Sequence, residues 1–291
     1  MLGATPVAGL SEHVTLLNLQ LRGWRRRLVT TSVGRVHMIE ARGRGRLPPT
    51  VLLHGLSAAG SHYGPLLERL RRRSSRVIAP DLPAHGFSDT PGDVRVDVLY
   101  EGMRQALDRV LDRPAVLVGN SLGGAVAVRY ALDRPGRVKG LALLAPGGAP
   151  MSARELLALK ALFRVESHDD ALNFVDRVMV RPGAMRGLYA MGIRWGFGRS
   201  AVRDLVDGLT ADHALTPEDL RGLRVPVRVL WGAEERVLPE SGRAFFESHL
   251  PAHGRVEVHH GLGHCPHLDD CDRVAGMITD WCHEFARVPP A

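Results

Sequence analysis

Cysteine, lysine and aromatic residues are scarce in this chain of 291 residues. The three cysteines, Cys265, Cys271 and Cys282, are an odd number and too few for the disulfide framework of a small secreted domain. Their spacing to the nearby histidines matches no zinc motif that we recognise. The cysteine usage therefore predicts a reducing, cytoplasmic location and no structural metal.

Long hydrophobic runs are also missing. No apolar stretch approaches the ~20 residues that a membrane-spanning helix needs, and the N-terminus lacks the basic start and apolar core of a signal peptide. The segment Val14–Trp24, which precedes three arginines, has the composition of a surface-bound amphipathic helix. Because such segments more often pack on their own domain, we expect no membrane contact.

Positive charge is abundant, with a formal net charge of +7. Nearly all of it is arginine, since Lys139 and Lys160 are the only lysines. Apart from the runs at 25–27 and 71–73, the arginines are scattered along the sequence. No aromatic-rich or zinc-binding motif accompanies them, so we expect no nucleic-acid partner.

Short apolar segments alternate with helical patterns over most of the chain. The predicted strands are a hairpin over Arg27–Glu40, then Val51–Gly55, Arg76–Pro80, Ala115–Gly119, Val138–Leu144, Val225–Trp231 and Arg255–His259. The predicted helices are Tyr63–Arg73, Asp93–Leu111, Leu122–Leu132 and Arg273–Phe285. This alternation predicts an α/β fold with a mainly parallel central sheet and helices on both faces.

The alternation stops after Pro146. From Met151 to about Asp212 the sequence shows helical periodicity and no strand, which predicts a helical cap inserted between two late strands. We therefore divide the chain into an N-terminal extension (1–26), a first core part (27–148), a cap (149–213) and a second core part (214–291). The glycines of the cap are compatible with a mobile lid and with a static insertion.

Gly119-Asn120-Ser121-Leu122-Gly123 lies at a predicted strand-to-helix corner. A G-x-S-x-G at such a corner is the nucleophile elbow of a serine hydrolase, where the sharp turn exposes the serine hydroxyl. Gly119 and Gly123 fit a place where strand and helix cross without room for a Cβ. Ser121 is therefore the candidate nucleophile.

A serine nucleophile requires a base and a carboxylate that orients the base. Both residue types follow late predicted strands, as this fold requires. Glu234 and Glu235 come after the strand that ends at Trp231, and His264 comes after the last strand.

Five motifs, in their expected order, make the chain from Arg27 onward resemble the α/β-hydrolase family, closest to its capped, esterase-like branch. The motifs are His54-Gly55, Asp81-Leu82-Pro83-Ala84-His85-Gly86-Phe87-Ser88-Asp89, the elbow, Trp231-Gly232-Ala233-Glu234-Glu235-Arg236-Val237-Leu238-Pro239 and Gly261-Leu262-Gly263-His264-Cys265-Pro266.

The resemblance implies that His264 is the general base and that Glu235 stands where the family usually has aspartate. Glu234 is the alternative acid. The amide of Leu122, at a helix N-terminus, is one candidate oxyanion donor, and the resemblance implies the amide of Leu56 as the second. His54, His85 and Asp81 lie in motifs that brace loops in the family.

These residues predict a serine hydrolase that cleaves a carboxylic ester of a hydrophobic small molecule without metal or organic cofactor. Thioester hydrolysis, acyl transfer, cofactor-free peroxidation and carbon–carbon cleavage use the same groups and stay open. Asn120 also occurs in the carbon–carbon hydrolases, but their glycine- and proline-rich segment after HG is replaced here by Leu56-Ser57-Ala58-Ala59. A non-enzymatic ligand-binding role is the remaining alternative, and the sequence leaves the oligomeric state open.

Overall fold

The computed structural model describes residues 5–288, with side chains from residue 12 onward. The predicted extension and the last core part therefore include residues 1–4 and 289–291, which lie outside the described residues. Within the described residues, eight strands form one sheet. They are β1 (Arg25–Thr31), β2 (Gly34–Arg42), β3 (Thr50–Leu53), β4 (Arg76–Pro80), β5 (Ala115–Ser121), β6 (Val138–Pro146), β7 (Val227–Gly232) and β8 (Gly254–His259).

The strand order is β1-β2-β4-β3-β5-β6-β7-β8. Strand β2 pairs antiparallel with both β1 and β4, and every other neighbouring pair is parallel. The prediction of a mainly parallel sheet is thus confirmed. The parallel strands end at the same edge, which is where open α/β sheets place their ligand sites.

Twelve α-helices connect and cover the strands of the described chain. They are α1 (Thr5–Leu21), α2 (Gly64–Arg71), α3 (Val96–Val110), α4 (Leu122–Asp133), α5 (Ala153–Phe163), α6 (His168–Val178), α7 (Arg186–Gly198), α8 (Ser200–Asp207), α9 (Pro217–Arg221), α10 (Glu240–His249), α11 (Pro266–Asp269) and α12 (Cys271–Arg287). Helices α3, α4 and α10 contribute to the core on one sheet face, and α1, α2 and α12 contribute to the core on the other.

Strand β5 shows why the sheet is covered on both sides. All seven of its residues are buried. Because successive side chains of a strand point to opposite faces, Leu117 enters one core cluster while Val116 and Val118 enter the other. A continuous apolar strand therefore requires a helical layer on each face.

Helices α5 to α8 lie between β6 and β7 and fill the segment 149–213 without a strand. They have a separate core, which includes a cluster of three aromatic side chains: Phe163, Phe174 and Phe197. Helices α5 and α6 both begin with a serine cap, Ser152 and Ser167, whose side chain accepts a hydrogen bond from the third helical amide.

The N-terminal extension forms α1, a helix that the sequence pattern did not specify, and the hairpin begins at Arg25. Leu16, Leu19 and Trp24 are buried against the domain, so this segment packs on the chain's own core as expected. In the described part of the chain, no helix combines the length and apolarity that crossing a bilayer demands.

Candidate active site

Ser121 occupies a strained corner at the end of β5 and directly before α4. Its φ of +52° is unusual for a residue other than glycine. A Cβ on Gly123 would lie 2.2 Å from the Leu53 carbonyl oxygen, and one on Gly119 would lie 2.5 Å from the Gly123 oxygen. Gly119 thus allows β5 and α4 to cross closely, as the elbow motif predicts, and Gly123 allows α4 to approach the end of β3.

His264 and Glu235 form a buried pair on the loops that follow β8 and β7. The His264 Nδ1 lies 2.8 Å from the Glu235 Oε2, and both side chains are almost fully buried. The other carboxylate oxygen of Glu235 accepts the amides of Val237 and Leu238 at 2.7 and 3.1 Å. These contacts fix the carboxylate and direct it at one nitrogen of the imidazole.

The charge of Glu235 is stabilised in spite of its burial. Burial by itself raises the pKa of this carboxyl, but His264 and the two loop amides outweigh that effect and lower the pKa. Glu234, the alternative acid, instead accepts the Gly261 amide at 2.9 Å. The structure therefore brings Glu235, and not its neighbour, to His264.

Asn120, the residue before the nucleophile, connects three loops of the site. Its side-chain nitrogen donates to the carbonyl oxygens of Leu144 at 2.8 Å and His264 at 3.1 Å. Its side-chain oxygen accepts the Tyr63 hydroxyl at 2.8 Å, and that hydroxyl also receives a long hydrogen bond of 3.4 Å from the Gly55 amide. No sequence motif marks Tyr63, so its role could not be predicted from the sequence.

Leu56 and Leu122, the two predicted oxyanion donors, line the same cavity as Ser121. Leu122 is the first residue of α4, and the first amides of a helix have no intrahelical acceptor. The loop that carries Leu56 adjoins the nucleophile, since a Cβ on Gly55 would lie 3.3 Å from the Ser121 Cβ. Both amides are thus placed near the serine.

The histidines and the aspartate of the earlier motifs hold loops. His54 donates from Nδ1 to the Gly55 carbonyl at 2.8 Å and accepts the Leu82 amide on Nε2 at 2.9 Å. Asp81 accepts from His37 at 2.8 Å and from the Gly60 amide at 2.8 Å. These bonds leave neither residue directed at the Ser121 corner.

Buried histidines have strongly altered acid–base properties here. Burial lowers the pKa of His54 to about 4 and the pKa of His85 and His267 to about 3. All three are therefore neutral at physiological pH. Burial also raises the pKa of the Cys265 thiol far above its ordinary value, which makes this cysteine a poor nucleophile.

The cavity beside Ser121 is small and mostly apolar, with a volume of about 130 Å³. Helices α4, α5 and α8 contribute Val126, Leu159 and Leu205 to its wall. Tyr100, Arg129 and His213 are its larger polar side chains. The cavity can accept a short hydrocarbon group adjacent to the serine.

The end of α6 is hydrogen-bonded to the loop that carries His264. The Cys265 amide donates to the Val178 carbonyl at 2.9 Å, and the Val180 amide donates to the Asp269 carboxylate at 2.7 Å. The Arg177 side chain also donates to the Arg236 carbonyl at 3.2 Å, next to Glu235. This part of the segment 149–213 is therefore hydrogen-bonded directly to the loops that carry Glu235 and His264.

No cluster of three or more histidine, cysteine, aspartate and glutamate side chains in the described chain is arranged to hold a metal ion. The polar groups near Ser121 are those of a hydroxyl, an imidazole, a carboxylate and backbone amides. Such a set suits nucleophilic and acid–base chemistry.

The chain is similar in sequence to proteins named as hydrolases and esterases. The chain is 26% identical over 262 residues to a 2-hydroxymuconate semialdehyde hydrolase of Pseudomonas sp. (strain CF600), covering 81% of this chain and 87% of that protein. It is 29% identical over 256 residues to a pimeloyl-[acyl-carrier protein] methyl ester esterase of Xanthomonas axonopodis pv. citri. This alignment covers 80% of this chain and 94% of that protein.

Among solved structures, naproxen esterase (carboxylesterase NP) from Bacillus subtilis has the same fold, with a TM-score of 0.77 and 22% identity over 94% of this chain and 98% of that one. The sequence profile of the alpha/beta hydrolase family matches residues 50–277. With the eight-stranded sheet and the nucleophile elbow, this match establishes that the chain belongs to the alpha/beta hydrolase family.

Proposed function

We propose that this protein is a serine hydrolase that cleaves a carboxylic ester of a hydrophobic small molecule. Ser121 is the nucleophile, His264 the general base and Glu235 the acid that orients it. The amides of Leu56 and Leu122 form the oxyanion hole. A cytoplasmic location is part of the same proposal.

One observation carries the proposal above all others. His264 and Glu235 form a buried pair with a 2.8 Å contact, and the main chain of His264 is hydrogen-bonded to the residue preceding Ser121. A carboxylate on Nδ1 places the proton there and leaves Nε2 free to accept one from a hydroxyl.

The reaction has two acyl-transfer steps. Ser121 attacks the ester carbonyl while His264 accepts its proton, and the two amides stabilise the developing oxyanion by roughly 3 kcal/mol each. His264 then protonates the leaving alcohol. Water attacks the acyl-enzyme with His264 again as base, which releases the acid and regenerates Ser121.

The cavity indicates which esters fit. At about 130 Å³, its volume is close to that of an engineered apolar cavity of about 150 Å³ that binds benzene. Its lining is dominated by leucine, valine, alanine and phenylalanine side chains. Short, uncharged acyl groups should therefore be better substrates than long or charged ones.

Carbon–carbon cleavage of a ring-fission product is the second candidate. Asn120 and the similarity to the 2-hydroxymuconate semialdehyde hydrolase favour it. Against it stands the segment after His54-Gly55, which lacks the glycines and prolines typical of those enzymes.

A two-part experiment separates these candidates. Purified protein and its Ser121→Ala variant are treated with a fluorophosphonate probe and then assayed with p-nitrophenyl esters, thioesters and a ring-fission dienol ketone. Ester hydrolysis predicts probe labelling and rapid ester turnover that both disappear in Ser121→Ala. Faster turnover of the dienol ketone than of any ester would establish the second candidate instead. Folded protein that neither reacts with the probe nor turns over any substrate would favour a non-enzymatic role.

A further inference from the structure

Two arginine-rich stretches that are separate in sequence lie side by side in the structure. They are the loop 42–46 after β2 and the segment 71–76 between α2 and β4. The Gly45 amide donates to the Ser74 carbonyl at 3.2 Å, and a Cβ on Gly45 would lie 1.8 Å from the Arg73 carbonyl oxygen. The glycine allows this close main-chain contact, which places the arginines of both stretches at one end of the domain.

This end has a large unbalanced positive charge. Eight of its arginines are exposed and have no carboxylate within ion-pair distance among the described residues. They are Arg22, Arg25, Arg42, Arg44, Arg46, Arg72, Arg73 and Arg113. We call them the arginine cluster. Elsewhere many arginines have an acidic partner, as in Arg104 with Glu101 and Arg228 with Glu284.

Three residues of the arginine cluster, Arg25, Arg42 and Arg113, line a cleft of about 530 Å³. Arg71, Arg76 and the carboxylate of Glu40, which pairs with Arg76, also line it. Guanidinium groups bind phosphate oxygens through paired hydrogen bonds. The cleft therefore has the chemistry of a phosphate-binding surface.

Helix α1 leads into this cluster and presents an apolar stripe to solvent. Val14 and Leu17 are each 56% exposed and Leu21 is 82% exposed. Their spacing of three and four residues places them on one helix face, whereas Leu16 and Leu19 are buried on the opposite face.

The stripe and the arginine cluster are continuous. The Arg71 guanidinium donates to the Arg22 carbonyl at 2.7 Å, directly after Leu21, and stacks over the Trp24 ring with its centroid at 5.6 Å. The C-terminal end of α1 is thereby fixed against the cleft. An exposed apolar helix face bordered by arginines matches the composition of a peripheral membrane-binding surface.

We propose that α1 and the arginine cluster form a docking surface for a bilayer that contains anionic phospholipids. The apolar stripe favours a bilayer over a nucleic acid, because a nucleic acid would use the arginines but leave the stripe exposed. This inference reverses the expectation that the arginines are scattered and that the chain makes no membrane contact.

The arginine cluster lies away from the catalytic groups. The cluster lies at the amino-terminal ends of β4 and β5, which begin at Arg76 and Ala115, whereas Ser121 is at the carboxyl end of β5. Bilayer docking therefore leaves the serine corner accessible. Hydrolysis of a water-soluble ester should not depend on it.

The test is co-sedimentation of the full chain with vesicles of phosphatidylcholine alone or mixed with phosphatidylglycerol. The variants are Leu17→Ser with Leu21→Ser, and Arg42→Gln with Arg44→Gln and Arg46→Gln. Leu157→Ser, at an exposed leucine of α5, and Arg203→Gln, at an exposed arginine of α8, are the matched controls. Circular dichroism melting checks that each variant is folded.

We expect binding to the mixed vesicles only, with salt weakening it. Each variant set should lower the apparent affinity at least about tenfold, while the controls should not. No binding by the unmodified chain, or binding that survives both variant sets, would overturn the proposal. So would tight binding to duplex DNA that displaces the vesicles and does not change in the Leu17→Ser, Leu21→Ser variant.

Discussion

The side-chain amide of Asn120 donates a hydrogen bond of 3.1 Å to the main-chain carbonyl of His264. These residues are adjacent to the proposed nucleophile and at the proposed base, respectively, and they are 144 positions apart in sequence. Asn120 is buried and also bonded to Tyr63. A single amide thus sets the position of the histidine loop relative to the serine corner.

Removing the Tyr63 hydroxyl should weaken this connection. In Tyr63→Phe the Asn120 side-chain oxygen loses its 2.8 Å donor inside the core. We expect the free energy of unfolding to fall by about 1–3 kcal/mol, together with a lower kcat, as measured by urea titration and ester turnover. Tyr130→Phe, which removes a hydroxyl bonded to Asp108 at 3.0 Å, is the control and should change stability without changing kcat. Equal effects of both variants on kcat would contradict this role of Asn120.

Variants of the adjacent residues Glu234 and Glu235 test which carboxylate orients His264. Glu235→Gln keeps the shape of the side chain but removes the charge opposite His264, so kcat for a p-nitrophenyl ester should fall on the order of 10³–10⁴-fold. Glu234→Gln, which alters contacts to the Gly261 amide and to the exposed His260, should remain within a few fold of the unmodified enzyme. A larger loss in Glu234→Gln would show that the acid has been assigned to the wrong residue.

Where α4 crosses the ends of β3 and β5, one added methyl group should be costly. In Gly123→Ala the added Cβ would lie 2.2 Å from the Leu53 carbonyl oxygen, so we expect a loss on the order of 3–5 kcal/mol or failure to fold. Gly276→Ala in α12, where a Cβ meets open space, should gain roughly 0.5–1 kcal/mol. Thermal melts of the two variants measure these two changes in stability. Similar melting temperatures for both would show that the crossing is not tight.

Stability should decline in mild acid before the carboxylates titrate. His54, His85 and His267 have folded-state pKa values of about 4, 3 and 3, against 6.5 for an unperturbed histidine. Between these values the unfolded chain binds more protons than the folded one, so stability falls as the pH drops below about 6.5. Each histidine contributes about 1.4 kcal/mol per pH unit in that range.

The carboxylates change the stability of the folded chain at lower pH than the histidines do. The pKa values of Glu235 and Asp81 are lowered in the folded state, so their stabilisation is complete above about pH 4 and is lost only below it. Urea titrations between about pH 7 and pH 5 therefore report the histidines. His85→Gln should reduce the pH dependence of the free energy of unfolding by the contribution of one histidine. A flat stability profile over this range would contradict the prediction.

The sequence by itself determined the nucleophile corner and the succession of strands and helices along the chain. Ser121 could be identified because an apolar strand, two flanking glycines and a helix are all local features. The parallel sheet also followed from local periodicity, since strands buried on both faces are apolar throughout. His264 could be identified because the segment Gly261–Pro266, after the last predicted strand, resembles the histidine motif of the α/β-hydrolase family.

The tertiary structure alone decided three other points. Glu234 and Glu235 are adjacent and identical in type, and only the loop conformation turns the second toward His264. Tyr63 carries no motif, and its link to Asn120 spans 57 residues. The arginine cluster comes from segments that look scattered in sequence, because main-chain contacts between distant loops, which no local pattern encodes, bring them to one end of the sheet.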